Sequence, residues 1–304
     1  SAEPFASERR EPWPGGRYNH YLFDMNRDWY IQTQPETRGR VSAYLAWQPQ
    51  VFVDAHEMSA DSNYYFDPPA DPINSQITPT QREWFLKIGK KQGARFDELG
   101  FPYTTRETYD GYYPGYGSTW PTLHGALGIL WEQAGSRGLV VEKTDDTRLH
   151  YHDGVRHHYV SSLVTIEAAS EEKEALLEAF YEARASAIAE GRAEGSEDYF
   201  LDPGETPARA ARLAKLLASN GLEVGRFATS LKVKTKGEDG KAVELTMPPG
   251  TYVVRSSQPA GRLAKTLLGP ADDMGEAFIK RQIDRKARRL GDEIYDITAW
   301  SLPM

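Results

Sequence analysis

Two short apolar runs constrain this sequence most, because each has the length of a buried strand and leads to a polar residue. Residues 50–56 read QVFVDAH, and residues 125–132 read GALGILWE. The β-branched, aromatic and aliphatic content of both runs predicts buried strands. In α/β proteins the polar ends of such strands meet loops at the carboxyl edge of the sheet, where the chemistry takes place. We therefore predict an α/β fold with His56 and Glu132 at that edge.

The composition excludes several classes of protein. The chain has 304 residues, and its 36 Lys and Arg against 44 Asp and Glu give a net charge of −8. A broad phosphate-binding face needs clustered basic residues, so we expect no nucleic-acid partner. The sequence has no cysteine, which excludes disulfides, thiolate ligands and cysteine nucleophiles. No apolar run has the length of a membrane span.

The remaining pattern predicts two structural units. Residues 1–194 combine the two strands with a helix over 79–99 and a trailing helix over 171–192. Residues 205–304 are predicted to form a small α/β or α+β accessory domain. The elements predicted after residue 194 are a linker at 195–207, helices over 208–219, 262–268 and 275–289, and strands within 223–233 and 242–256.

The polar residues of the two strands suit hydrolytic chemistry. His56 offers an imidazole that can bind zinc, and Asp54 or Glu57 could orient its other nitrogen. Glu132 follows Trp131 in an apolar run, so its carboxylate should be partly desolvated and suited to a general base. The alternatives are a hydrogen-bonded structural histidine and a structural carboxylate.

Two further segments suit substrate binding. Residues 24–29 read DMNRDW, in which Arg27 offers a planar fork for a carboxylate and Asn26 adds a neutral donor beside it. The alternative for Arg27 is a surface ion pair. Residues 109–117 read YDGYYPGYG, and this Gly-rich loop suits either a lid over a substrate or a tyrosine-rich surface loop.

The order of these segments resembles that of the zinc carboxypeptidases of the M14 family, over residues 15–170. The matching signatures are residues 24–27 (DMNR), 34–37 (QPET) and 129–132 (ILWE). The resemblance implies a carboxypeptidase-like mixed sheet with flanking helices, whose N-terminal part would be missing from this chain. It also implies a zinc ion and a secreted or periplasmic location.

The resemblance implies a role for each matched residue. His56 matches a zinc ligand, and Glu132 matches the catalytic glutamate that activates the zinc-bound water. Asn26 and Arg27 match the pair that binds the C-terminal carboxylate of the peptide. Asp24 matches an acid that contacts a zinc-binding histidine and holds it in place without binding the zinc itself.

The resemblance also implies a tyrosine that caps the substrate and a residue that tunes the side-chain pocket. Spacing back from Trp120 favours Tyr112 as the capping residue, with Tyr113 and Tyr109 as alternatives. Ser118 matches the pocket position. Because serine is neither apolar nor acidic, the preferred C-terminal side chain stays open.

The zinc site and one arginine are incompletely matched. The family's other two zinc ligands come from a His-x-x-Glu motif, and none of the seven histidines lies in one. We therefore expect this chain to be the C-terminal part of a longer enzyme, with the missing N-terminal half as a partner. The four histidines of residues 150–158 are expected to form a solvated or hydrogen-bonded cluster. The arginine that polarises the scissile carbonyl should precede Asp24, and Arg17, Arg9 and Arg10 are the candidates.

These inferences predict a zinc-dependent metallocarboxypeptidase-type hydrolase whose site is incomplete in this chain. It would cleave a peptide or amide bond near a free C-terminal carboxylate, in a peptide or an acyl amino acid. The main alternative is a non-catalytic fragment or degenerate relative that binds peptide termini. A third reading, a sugar-binding or sugar-cleaving protein, would use acids such as Asp61 and Asp67 as a carboxylate pair.

Overall fold

The computed structural model describes residues 18–136, 138–193, 198–236, 241–269 and 274–294, which form a mixed α/β fold with several small sheets. The strands within these ranges are β1 (Val51–Met58), β2 (Tyr64–Phe66), β3 (Ala70–Ile73), β4 (Tyr103–Thr104), β5 (Asp110–Gly111), β6 (Leu127–Ala134), β7 (Val140–Glu142), β8 (Arg148–His150), β9 (Tyr199–Leu201), β10 (Val224–Arg226), β11 (Leu231–Lys236), β12 (Ala242–Met247) and β13 (Tyr252–Val254). The helices within the same ranges are α1 (Pro35–Trp47), α2 (Pro79–Leu99), α3 (Thr119–Leu123), α4 (Tyr151–Glu171), α5 (Lys173–Arg192), α6 (Pro207–Ser219), α7 (Gly261–Leu268) and α8 (Glu276–Ala287).

The central sheet is built from the two predicted strands. Its order is β1-β6-β2-β4, with β1 parallel to β6 and β2 antiparallel to β6. In this register, His56 lies opposite Glu132 on the neighbouring strand. Both strands are confirmed, but each continues two residues past the predicted end, because the pairing runs on to Met58 and Ala134. His56 and Glu132 therefore lie inside the paired strands and not at their ends.

Helix α2 covers one face of this sheet and has the predicted bounds. It begins with a capping box in which the Thr78 hydroxyl accepts from the backbone N–H of Gln81, and Gln81 Oε1 accepts from the backbone N–H of Thr78. It ends at Leu99 and is followed by the cap residue Gly100, whose φ of 68° suits a residue without a Cβ. Its buried apolar residues are Trp84, Phe85, Ile88 and Phe96.

The trailing helix is preceded by a second helix of similar length. Helices α4 and α5 are separated by a break at Glu172, whose backbone leaves the helical conformation (φ −123°, ψ 33°). The predicted helix over 171–192 is thus confirmed as α5, beginning two residues later.

In the C-terminal unit, helices α6, α7 and α8 begin and end within two residues of their predicted bounds. The predicted linker instead contains β9, which pairs with β13 in a sheet of order β10-β13-β9. One buried cluster joins this unit to the N-terminal one, and it includes Trp29, Tyr44, Trp120, Leu217 and Leu263. The boundary between two domains stays a prediction.

None of the helices in the described ranges combines the length and the apolar character that crossing a bilayer requires.

Candidate active site

A cavity of about 130 Å³ lies beside β1 and β6 and brings together residues that are far apart in the sequence. Five of the predicted site residues line it, namely Asn26, Arg27, His56, Ser118 and Glu132. Its other lining residues are Asp54, Glu57, Met58, Tyr109, Asp110, Tyr116 and Leu130. The cavity thus collects both strand residues and both loop segments that the sequence singled out.

Strand β1 contributes an imidazole with an acidic partner. Asp54 and His56 are two residues apart, so their side chains leave the same face of the strand. His56 Nε2 lies 2.9 Å from Asp54 Oδ2. Of the two acids predicted to orient this histidine, the structure therefore pairs Asp54 with it.

Strand β6 contributes a carboxylate that is largely removed from solvent. Glu132 is 8% exposed and lies opposite His56 on one side and Tyr65 on the other. Burial raises the pKa of the Tyr65 hydroxyl, and the charges of Asp67 and Glu132 add to this effect. Tyr65 therefore keeps its proton, and its hydroxyl donates a hydrogen bond to Asp67 Oδ1 at 3.1 Å.

The turn before α1 contributes the guanidinium. Arg27 is 6% exposed, its Nη1 donates to the Asn26 carbonyl at 2.9 Å, and its Cζ lies 5.0 Å from the centroid of the Tyr116 ring. Asp24 Oδ1 accepts from the backbone N–H of Asn26 at 2.8 Å. Asp24 thus holds the turn that carries Asn26 and Arg27, and it does not line the cavity.

The tyrosines of residues 109–116 divide between the cavity and the core. Tyr112 and Tyr113 are buried at 4% and 0% exposure and do not line the cavity, whereas Tyr109 and Tyr116 do. Tyr113 packs edge-on against Tyr30 and Tyr116, and burial raises the pKa of its hydroxyl. A capping role for Tyr112 stays a prediction, and Tyr109, the third candidate, is the one that borders the cavity.

The remaining predicted residues lie elsewhere. Arg17, Arg9 and Arg10 lie outside the described residues. Asp61 accepts from the Thr144 N–H at 2.7 Å in an exposed position, whereas Asp67 is 5% exposed.

Two histidines of the 150–158 cluster make the expected hydrogen bonds. His157 Nδ1 lies 2.9 Å from Gln133 Oε1, and His158 Nδ1 lies 3.0 Å from the Tyr64 hydroxyl. Partial burial lowers the pKa of both rings, so they are neutral near pH 7. They serve as structural hydrogen-bonding groups.

The donor set at His56 does not form a complete zinc site. A catalytic zinc ion requires three protein ligands and an open position. Across the described ranges, no three His, Asp or Glu side chains are grouped as ligands of one metal ion. A zinc ion at His56 would therefore need ligands from outside the described residues.

Comparison with known proteins identifies no family for this chain. A scan against protein-family models, a search of curated proteins and a search of solved structures each find no match. Any functional assignment therefore rests on the residues of the cavity and on the sequence pattern.

Proposed function

We propose that this chain carries part of the active site of a metallocarboxypeptidase-type hydrolase, resembling the M14 family. The substrate is a peptide or acyl amino acid with a free C-terminal carboxylate. The observation that supports the proposal best is the shared cavity of Asn26, Arg27, His56 and Glu132, which come from three separate segments. A carboxypeptidase-like sheet and an accessory C-terminal domain belong to the same proposal.

Arg27 and Asn26 would bind the substrate carboxylate. A guanidinium matches a carboxylate through two parallel hydrogen bonds, and partial burial strengthens these bonds relative to water. The contacts of Arg27 with the Asn26 carbonyl and the Tyr116 ring fix its orientation before substrate arrives. The pair would thereby position the last peptide bond of the chain.

Glu132 would act as general base and then as general acid. Hydrolysis breaks the C–N bond, adds the water oxygen to the carbonyl carbon and transfers one water proton to the leaving amine. A carboxylate at the cavity wall can carry that proton between the two groups. His56 would contribute an imidazole on the adjacent strand, with its Nε2 2.9 Å from Asp54 Oδ2.

Zinc belongs to this proposal only as the cofactor that the resemblance implies. His56 would be one ligand, and the others would lie outside the described residues. The first measurement is therefore the zinc content per chain of the purified protein after loosely bound metal is removed. Retention of about one zinc per chain supports a complete site.

Substituting Glu132→Gln tests the catalytic assignment. We expect the variant to lose turnover of N-acylated dipeptides at least about a hundredfold, because the base is gone while the shape of the side chain is kept. The control is Glu142→Gln, which changes an exposed carboxylate on β7 outside the cavity. Amidated dipeptides should react poorly with the unsubstituted protein. Retained turnover in Glu132→Gln would remove Glu132 from this role.

The alternative is a module that binds peptide termini without cleaving them, which needs only the carboxylate-binding pair Asn26 and Arg27 at the cavity. Such a module would bind N-acylated dipeptides with a free carboxylate, prefer them to the amides and show no turnover with added zinc. A binding titration with the free acid and the amide, together with the turnover assay, therefore distinguishes the two functions.

A further inference from the structure

Charge is divided unevenly along this chain. Residues 205–304 contain 17 Lys and Arg against 12 Asp and Glu, whereas residues 1–204 contain 19 Lys and Arg against 32 Asp and Glu. The C-terminal unit is therefore basic and the rest of the chain is acidic. Surfaces of opposite charge on one chain allow two copies of that chain to attract each other.

Helix α5, in the acidic part, exposes an apolar pair beside a row of glutamates. Leu177 and Tyr181 are 46% and 66% exposed and lie one turn apart on the helix. Glu174, Glu178 and Glu182 recur every four residues next to this pair, and all three are exposed. Within the described ranges, no Lys or Arg forms an ion pair with these glutamates. Like charges at this spacing repel each other, so a cationic partner would stabilise these five residues, the acidic face of α5.

Helix α8, in the basic part, exposes the complementary arrangement. Ile279 and Ile283 are 45% and 65% exposed and also lie one turn apart, whereas the buried residue of this helix is Phe278. Lys280 and Lys286 are exposed beside the isoleucine pair. Neither lysine forms an ion pair with a carboxylate of the described residues. The two isoleucines and the two lysines form the basic face of α8.

The two faces match in both apolar character and charge. Each has two large apolar side chains one turn apart, flanked by unpaired charges of one sign on α5 and of the other sign on α8. Lys173 and Glu276, in the first turns of α5 and α8, carry the reverse charges, so a parallel alignment of the helices pairs them as well. Ion pairs around an apolar contact specify the partner while the apolar groups supply most of the free energy.

We propose that two copies of this chain form a dimer in which the basic face of α8 in each copy packs on the acidic face of α5 in the other. The isoleucines cover the pair Leu177 and Tyr181, and the lysines pair with the glutamates. Because the contact is reciprocal, both faces of each copy are used and the assembly closes at two copies. Each contact is short, so we expect a weak dimer with a dissociation constant on the order of 10–100 µM.

Sedimentation velocity of the full chain, from about 1 to 300 µM, measures this association. Glu178→Lys and Lys280→Glu should each weaken dimerisation about tenfold or more, because each places like charges across both contacts. An equimolar mixture of the two variants should dimerise again, since both contacts of the mixed dimer then join a lysine to a glutamate. Glu142→Lys, the same change of charge at an exposed position on β7, should dimerise like the unsubstituted protein. High salt should weaken the dimer of the unsubstituted protein.

Several outcomes would overturn the proposal. A chain that stays monomeric at every concentration has no such contact. Dimers that persist in Glu178→Lys and Lys280→Glu, or a mixture of these variants that stays monomeric, would show that α5 and α8 do not meet. Assemblies larger than dimers would contradict the reciprocal pairing. Vesicles containing phosphatidylserine test another occupant, because a monomeric chain that binds them through Lys280 would assign the basic face of α8 to an anionic membrane instead.

Discussion

Asp67 places an ionisable group inside the protein, next to the strand that carries Glu132. It is 5% exposed, and its Oδ2 accepts from the backbone N–H of Leu130 at 2.9 Å. Burial raises the pKa of Asp67 from 3.8 to about 7, although the bonds from Leu130 and Tyr65 lower it. The folded state therefore holds a proton that the unfolded state releases above pH 4.

Substituting Asp67→Asn should change how stability depends on pH. Because the folded pKa is raised, the carboxyl favours the folded state fully below about pH 4, and this contribution is lost as pH rises through 7. The asparagine does not titrate, so the stability of the wild type relative to the variant should fall between pH 4 and 8. The change should be on the order of a few kcal/mol. Urea unfolding at several pH values measures it, and a difference independent of pH would contradict the assigned protonation.

Single residues of the cavity were predictable where a pattern fixed their surroundings. His56 and Glu132 followed from apolar runs, and Arg27 from its short motif. Tyr116 was missed, because spacing along a Gly-rich loop does not fix which ring faces outward. Packing decides this instead, since Tyr113 fills the core against Tyr30.

The parallel pairing of β1 and β6 sets the geometry of the cavity. The apolar pattern identified both strands, but it ended each one at its polar residue. Backbone pairing continues for two more residues in each strand, because strand length depends on the partner and not on side-chain polarity. Parallel pairing between distant segments also brings His56 opposite Glu132, which no local pattern shows.

Gly117 lets the loop before α3 approach β1 closely, and its substitution tests this contact. A Cβ at Gly117 would lie 2.2 Å from Asp54 Oδ2 and 2.9 Å from Trp29 Nε1. Gly117→Ala should therefore displace Asp54 from His56 and lower hydrolytic activity about tenfold or more. Gly39→Ala is the control, because this helical position has no atom within 4 Å of the added Cβ. It should keep activity and stabilise α1 by about 0.5–1 kcal/mol.

Activity is compared in the two alanine variants under identical conditions. The ¹⁵N signals of the His56 ring report whether its contact with Asp54 changes. A changed His56 signal with full activity in Gly117→Ala would show that the Asp54 contact does not matter for hydrolysis. An unchanged signal would show that the added Cβ does not displace Asp54, which contradicts the prediction.

The two predicted units share a buried cluster. Helices α6 and α7 were predictable because their apolar residues recur with helical spacing. Strand β9 was not, because Gly and acidic residues around it read as a linker, and only pairing with β13 makes it a strand. Long-range packing of this kind leaves no local signal, which also explains why the shared core was not predicted.

Asn220 tests whether the units unfold together. It is fully buried at the end of α6, accepts from Trp120 Nε1 at 2.9 Å and donates to the Tyr30 carbonyl at 2.8 Å. Asn220→Ala leaves both groups buried without this partner, which should lower the free energy of unfolding by about 2–3 kcal/mol. Ser219→Ala, at the exposed neighbouring position, should change it by less than about 0.5 kcal/mol.

The shape of the unfolding curve shows whether the two units unfold together. If the shared cluster makes one cooperative unit, Asn220→Ala should shift a single transition, seen equally by tryptophan fluorescence and by far-ultraviolet circular dichroism. Tryptophan reports mainly on the N-terminal unit, where Trp29, Trp84 and Trp120 are buried, whereas circular dichroism also reports on α6 and α7. Two separate transitions would instead mean that residues 205–304 fold as an independent domain, with Asn220 joining two units that are each stable alone.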